Sequence, residues 1–120
     1  MFTISNNIIR VNRGDYFTLP ISLVLGETFS AEPYEMTATD ALYVGILEPN
    51  QQFENAIVKK KLTCADQTGD KVVVTFWPED TLRLAPGKYF YQVKLERTDA
   101  TTSRKIVTTI LDKTLLFLEE

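Results

Sequence analysis

Carboxylates are the only side chains here that could do acid–base chemistry near neutral pH, because the 120-residue chain has no histidine. Histidine-dependent triads and metal sites go with it. A glycosidase-type pair or a calcium loop would need acids at fixed spacing. The candidate is Asp66 and Asp70, which flank Gly69 in "CADQTGDK". They lack the alternating-oxygen spacing of a calcium loop, and one hairpin turn accounts for both. Glu119 and Glu120 read as solvated. Cys64, the single cysteine, has no neighbouring base to make it a thiolate and reads as a small, inert strand residue. It also cannot form an internal disulfide, so packing alone must hold the fold. The five glycines are scattered and build neither a P-loop nor a dinucleotide fingerprint. The sequence therefore offers no catalytic, cofactor-binding or metal-binding residue, and the expectation is a protein that is not an enzyme.

Three features could serve recognition. The tripeptide Arg13-Gly14-Asp15 is the one adhesion ligands present to integrins. A glycine between two charged residues, ahead of a strong strand, is also what a tight turn requires, since glycine takes positive φ without steric cost. The turn is the preferred reading, and integrin binding is not expected. Lys59, Lys60 and Lys61 could form a phosphate or nucleic-acid patch. On a strand, however, Lys59 and Lys61 point opposite to Lys60, which suits lysines guarding a sheet edge. Lys60 shares a face with Val58 and Leu62, so it is the one whose position asks for a carboxylate partner. Finally, Val73, Trp77 and Phe90 are large apolar residues at outward strand positions. Either they cover each other through a loop, or they form a candidate interface for another subunit.

The elements that position these residues follow from an apolar period of two. In "YFTLPISLVL", Phe17, Leu19, Ile21, Leu23 and Leu25 alternate with Thr18, Pro20, Ser22 and Val24, as a strand with one face on a core requires. Pro20 cannot donate to a ladder and marks an edge or a bulge. In "GKYFYQVKLER", Tyr89, Tyr91, Val93 and Leu95 face inward while Lys88, Phe90, Gln92, Lys94 and Glu96 face out. Further runs cover Ile8 to Val11, Leu42 to Leu47, Ala56 to Cys64, Lys71 to Trp77, Lys105 to Leu111 and Leu115 to Leu118. Turn residues separate them, at Gly26-Glu27, Glu48-Pro49-Asn50, Gln67 to Asp70, Ala85-Pro86-Gly87 and Asp99-Ala100-Thr101. The stretch Phe29 to Asp40 reads as a long connection with some strand content. "WPEDTLRL" is the one helical candidate, with Pro78 suited to a first turn and Glu79 and Asp80 at the positive end of the dipole.

The predicted fold is an all-β, immunoglobulin-like antiparallel sandwich of seven to eight strands with at most one helical turn, in one domain over 1–120. Tyr89, just after Pro86-Gly87, could seat its ring on the core and bond its hydroxyl to the preceding arch, as in a tyrosine corner. Asp80 and Thr81 would hold that arch through side-chain to backbone bonds. With 44% hydrophobic and 24% charged residues and a net charge of -3, the composition is globular and disfavours a polyanionic partner such as nucleic acid. No basic start precedes an apolar run and no segment approaches bilayer-spanning length, so neither export nor membrane insertion is expected.

Four segments together, "IIRVNRGDYFTLPISL", "AIVKKKLT", "WPEDTLRLAPGKYFYQVKL" and "IVTTIL", resemble a family of small phage and prophage proteins akin to the N-terminal domain of the baseplate upper protein of tailed bacteriophages. The matching positions are Arg13, Gly14, Asp15, Lys60, Asp80, Thr81, Leu84, Gly87, Tyr89, Tyr91 and Thr109. The Phe29 to Asp40 connection is longer than in that family. The resemblance implies a sandwich without catalytic residues that works in virion assembly, is made in the host cytoplasm, and contacts other virion proteins and further copies of itself. The competing expectation is an adhesion or carbohydrate-binding module of a bacterial surface protein.

Overall fold

In the computed structural model, which describes residues 3–5, 8–25, 32–69, 71–99 and 101–120, eleven strands and one short helix follow one another along the chain. β1 (Thr3–Ser5), β2 (Ile8–Asn12), β3 (Phe17–Ser22), β4 (Val24–Leu25) and β5 (Glu32–Pro33) come first. β6 (Ala41–Leu47), β7 (Val58–Leu62), β8 (Gln67–Thr68) and β9 (Lys71–Phe76) precede α1 (Pro78–Leu82), and β10 (Gly87–Thr98) and β11 (Lys105–Glu119) close the chain. The turn expected at Gly26-Glu27, the first residues of the Phe29 to Asp40 connection, Asp70 and Ala100 lie outside the described residues.

Two sheets face each other. The larger has the order β1-β2-β11-β10-β6-β7 and the smaller β3-β9-β8, with β4 and β5 paired beside them. Alternation places Phe17, Leu19 and Ile21 of β3 and Val72, Val74 and Phe76 of β9 against Ile9, Val11, Leu42, Val44, Ile46, Val93, Leu95, Leu116 and Leu118 of the large sheet in one continuous core. Phe17 and Phe76 stack across the small sheet at 4.7 Å between ring centroids. The expected all-β sandwich is the fold observed. Seven described strands have five residues or more, because the two runs read separately as Lys105 to Leu111 and Leu115 to Leu118 are one strand, β11. A bulge in the β10–β11 ladder, near Val93 and Leu111, explains the broken alternation between those runs. One pairing departs from the antiparallel expectation. β2 lies parallel to the end of β11, Ile9 opposite Leu116, which a reading of each strand alone cannot reveal.

Other elements refine the sequence reading. Pro20 sits in β3, an edge strand of the small sheet, where its missing N–H leaves no gap in a ladder. Two 3-10 turns, Phe53–Asn55 and Cys64–Asp66, add to the single helix. The second corrects the placement of Cys64 and Asp66. β7 stops at Leu62 because the Asp66 carboxylate accepts the Thr63 N–H at 2.9 Å and winds the chain into a turn, leaving Cys64 exposed and not in a strand. Gly69, at φ 64, makes the hairpin between β8 and β9.

The outer face of the large sheet carries a small second core that alternation did not foretell. Leu47 is fully buried although it points away from the main core, and Phe53 folds back over Gly45. A Cβ at Gly45 would stand 2.9 Å from Phe53 Cε2 and 3.1 Å from Ala56 Cβ, so the strand glycine exists to let this ring approach. Lys59 and Lys94 place their ammonium groups 4.9 Å and 5.0 Å from the same ring centroid. Gly45→Ala is expected to lower stability by about 1–3 kcal/mol through overpacking. Chemical denaturation checks this, and an unchanged midpoint would mean that Phe53 is not seated there.

Candidate functional site

The residues singled out by motif converge on the arch between β9 and β10. Gly14 takes φ +81, as the turn reading required, and its N–H donates to the Thr81 hydroxyl at 2.9 Å. Thr81 is completely buried. Asp15 N–H closes the turn onto the Asn12 carbonyl, and Arg13 N–H donates to the Glu119 carbonyl at 2.7 Å. The Arg13 guanidinium reaches toward the Leu84 carbonyl at 3.5 Å. The tripeptide is thus a structural turn tied by its backbone to the arch and to the end of β11.

Asp80 and Lys60 form the second half of this clamp. The Asp80 carboxylate accepts the Trp77 N–H at 2.8 Å, which caps the start of α1, and the same oxygen lies 2.6 Å from Lys60 Nζ. Their side chains are 17% and 24% exposed, so the pair is largely withdrawn from water and joins α1 to the edge strand β7. This is the carboxylate that the position of Lys60 called for. The Lys60 ammonium also lies 5.8 Å from the Phe76 ring centroid. Tyr89 completes the arch: its ring is buried and its hydroxyl donates to the Ala85 carbonyl at 2.7 Å, the geometry of a tyrosine corner. Burial raises its phenol above the ordinary value, with the Glu48 charge adding to the shift, so it remains a donor at neutral pH. Gly87 follows at φ 150. An open groove of about 610 Å³ runs between β7 and α1, lined by Ile57, Lys59, Glu79 and Arg83 around the ion pair.

The candidate interface residues divide between two surfaces. Val73 and Trp77 lie on the outer face of the small sheet and are 49% and 51% exposed. Tyr16, which sequence reasoning passed over, joins them: it is 55% exposed and its ring lies 5.3 Å from that of Trp77. The same alternation that placed Thr18 outward would have found it. Pro20 faces Val73 and Thr18 faces Thr75 in register, so this face is uncharged over three rows. Phe90 belongs to the outer face of the other sheet. It does not project freely: cross-strand neighbours Leu47 and Leu115 flank it, Lys88 lies 5.5 Å from its ring centroid, and the ring is half-buried. A single patch containing Val73, Trp77 and Phe90 therefore does not form.

At the other end, Tyr34 donates to Asp40, and Arg97 lies 5.8 Å from the Tyr34 ring centroid. Burial first, and then the hydrogen bond to Asp40, pushes the Tyr34 phenol up to about 12. Gln67 locks the same segment by accepting from Met36 N–H and donating to the Tyr34 carbonyl, both at 2.7 Å. Among the described residues no group of three or more histidines, cysteines or acids could hold a metal ion. No helix among them is long and apolar enough to cross a membrane.

The fold and the clamp together define a β-sandwich whose motif residues serve its architecture. No protein-family model, curated protein or solved structure matches this chain.

Two substitutions test the clamp. Thr81→Val keeps shape but strands the Gly14 N–H, and is expected to cost about 1–3 kcal/mol, with Thr81→Ser recovering most of it. In a double-mutant cycle, Lys60→Met and Asp80→Asn should be non-additive by about 0.5–3 kcal/mol. Thermal or denaturant unfolding reads both. Additive losses would mean the two side chains do not interact.

Proposed function

We infer that this chain is a non-enzymatic structural protein of a bacteriophage or prophage virion, working in baseplate, tail or head through protein–protein contacts. One observation supports the reading: of the eleven positions matched to the phage family, seven (Arg13, Gly14, Lys60, Asp80, Thr81, Leu84 and Tyr89) are engaged in the clamp around the arch, a structural use. What the small sheet does present is the uncharged face of Tyr16, Pro20, Val73 and Trp77, the composition of a protein-binding surface with aromatic anchors. The location in a virion, synthesis in the bacterial cytoplasm and the identity of the protein partners follow from the resemblance alone.

The exposed Tyr16 and Trp77 pair also favours, more weakly, a carbohydrate-binding module, since sugars stack on aromatic faces. The rings are inclined at 57°, however, and do not make a flat platform. Trp77 is the sole tryptophan, so its fluorescence reports on this face alone.

In the virion reading the chain is present in purified particles and its gene neighbours encode tail or capsid proteins. Trp77→Asp and Val73→Asp should leave the melting temperature nearly unchanged, because both side chains are half exposed, while sharply reducing incorporation into particles. Absence of the chain from particles, or a Trp77 fluorescence change on adding oligosaccharides, would count against the reading.

A further inference from the structure

Edges decide what a β-sandwich can join, because an edge strand offers a row of unpaired N–H and C=O groups. Most edges here are guarded. β3 carries Pro20, β7 carries Lys59, Lys60 and Lys61, and β1 and β8 have only three and two residues. β11 is different. Its 15 residues pair with β10 along their length, but β2 covers only Leu116–Glu119 on the other side. Among the described residues no strand pairs with the far side of Lys105 to Leu111, a stretch that reads Lys-Ile-Val-Thr-Thr-Ile-Leu and has no charge or proline after Lys105. Ile106 and Val107 are 41% and 58% exposed. A long, β-branched edge whose Ile106 to Leu111 stretch carries neither charge nor proline, with a bulge only at its end near Leu111, is either an aggregation hazard or a place for another strand.

The flank of the sandwich indicates what that strand brings. A groove of about 330 Å³ opens between the two edge strands, lined by Leu19, Pro20, Ile21 and Ser22 of β3 and by Ile110 and Leu111 of β11. Ile106 shares the inner face, since it lies opposite Arg97, two residues beyond the buried Leu95. We propose that a second copy of this chain pairs edge to edge with β11, antiparallel and two-fold symmetric about Thr108. Directly opposed residues in such a pair lie on one face, so positions related by the axis must share parity. Centring on Thr108 sets Ile106 of each copy against Ile110 of the other, beside the groove, and Val107 against Thr109 on the outer face. The register therefore buries the exposed isoleucine in the open flank of its mate and makes β-branched cross-strand pairs. Both strands are the same neutral segment, so no charge opposes the contact. A paired stretch of seven residues is about 23 Å long, and an interface of that size gives a concentration-dependent dimer and not a permanent one. This contact does not use the Tyr16 and Trp77 face, so the mass measurement below tests it separately from the function proposed above.

Sedimentation velocity over a concentration series tests it. The expected result is a rise from the mass of one chain to twice that mass. Val107→Lys with Thr109→Lys opposes lysines across the axis and should hold the chain at single mass, with an unchanged circular dichroism spectrum. Val107→Lys with Thr109→Glu puts opposite charges in register and should restore the doubled mass. A wild-type chain of single mass throughout, or a double-lysine variant that still dimerises, would overturn the proposal. A lysine–glutamate variant that stays single would overturn the register centred on Thr108.

Discussion

The hydrogen bond from Gly14 N–H to the buried Thr81 hydroxyl is the constraint on which the arrangement of the two sheets rests. Gly14 lies in the turn that carries the chain from β2 in the large sheet to β3 in the small one. Thr81 lies in the arch that returns it from β9 in the small sheet to β10 in the large. One bond thus couples both crossings at the same end of the sandwich. The ion pair from Asp80 to Lys60 ties the same arch to the opposite edge of the large sheet, and the Tyr89 hydroxyl fixes its last residues. Because these groups are partly or wholly withdrawn from water, leaving one of them unpaired removes more stability than its bond contributes. That is why polar residues can occupy an arch whose surroundings are otherwise apolar.

Much of this was legible in the sequence, for a physical reason. A strand's faces follow from parity, so the inward set of β3, β9 and β10 and the solitary inward position of Lys60 could be read from spacing alone. Turn chemistry is local too: Gly14 and Gly69 needed positive φ, and the Pro-Gly step before Tyr89 announced a corner. What escaped was pairing between strands distant in sequence. Phe90 reads as an outward ring, but Leu47 and Leu115 arrive from both sides and bury half of it. The approach of Phe53 to Gly45 depends on a 3-10 turn whose partner surface the turn's own sequence does not contain. Cys64 was misplaced because a capped turn overrode the alternation of "IVKKKLTC" one residue after β7 ended. The bulge near Leu111 hid the unity of β11 in the same way, by breaking the period at the point where the ladder slips.

The charge arrangement separates surfaces by use. The Lys59 and Lys94 ammonium groups sit over the Phe53 ring on the outer face of the large sheet, so their charge covers apolar surface while remaining hydrated. Asp99 at the tip of the β10–β11 hairpin accepts the Thr101 N–H and the Thr102 hydroxyl, which holds its carboxyl below the usual range and orders the turn. The small sheet's outer face has neither treatment over the three rows from Tyr16 and Trp77 to Pro20 and Val73, and its Tyr16 and Trp77 remain half in water. A chain with 13 basic and 16 acidic residues has charges enough to cover that face, so leaving it neutral follows from where they are placed and not from composition.

Edge protection carries the same logic one step further. A proline in β3 and lysines in β7 make pairing there unfavourable whatever approaches, since one removes a donor and the others must be desolvated. Both devices cost little locally, because an edge proline breaks no existing ladder and the lysine stems still cover apolar surface. Val107 and Thr109 of β11 are exposed as well, so the same treatment was open there. The sequence thus treats its edges differently, with a proline on β3 and lysines on β7 but neither between Ile106 and Leu111, and that contrast is what directs the proposed strand pairing to β11.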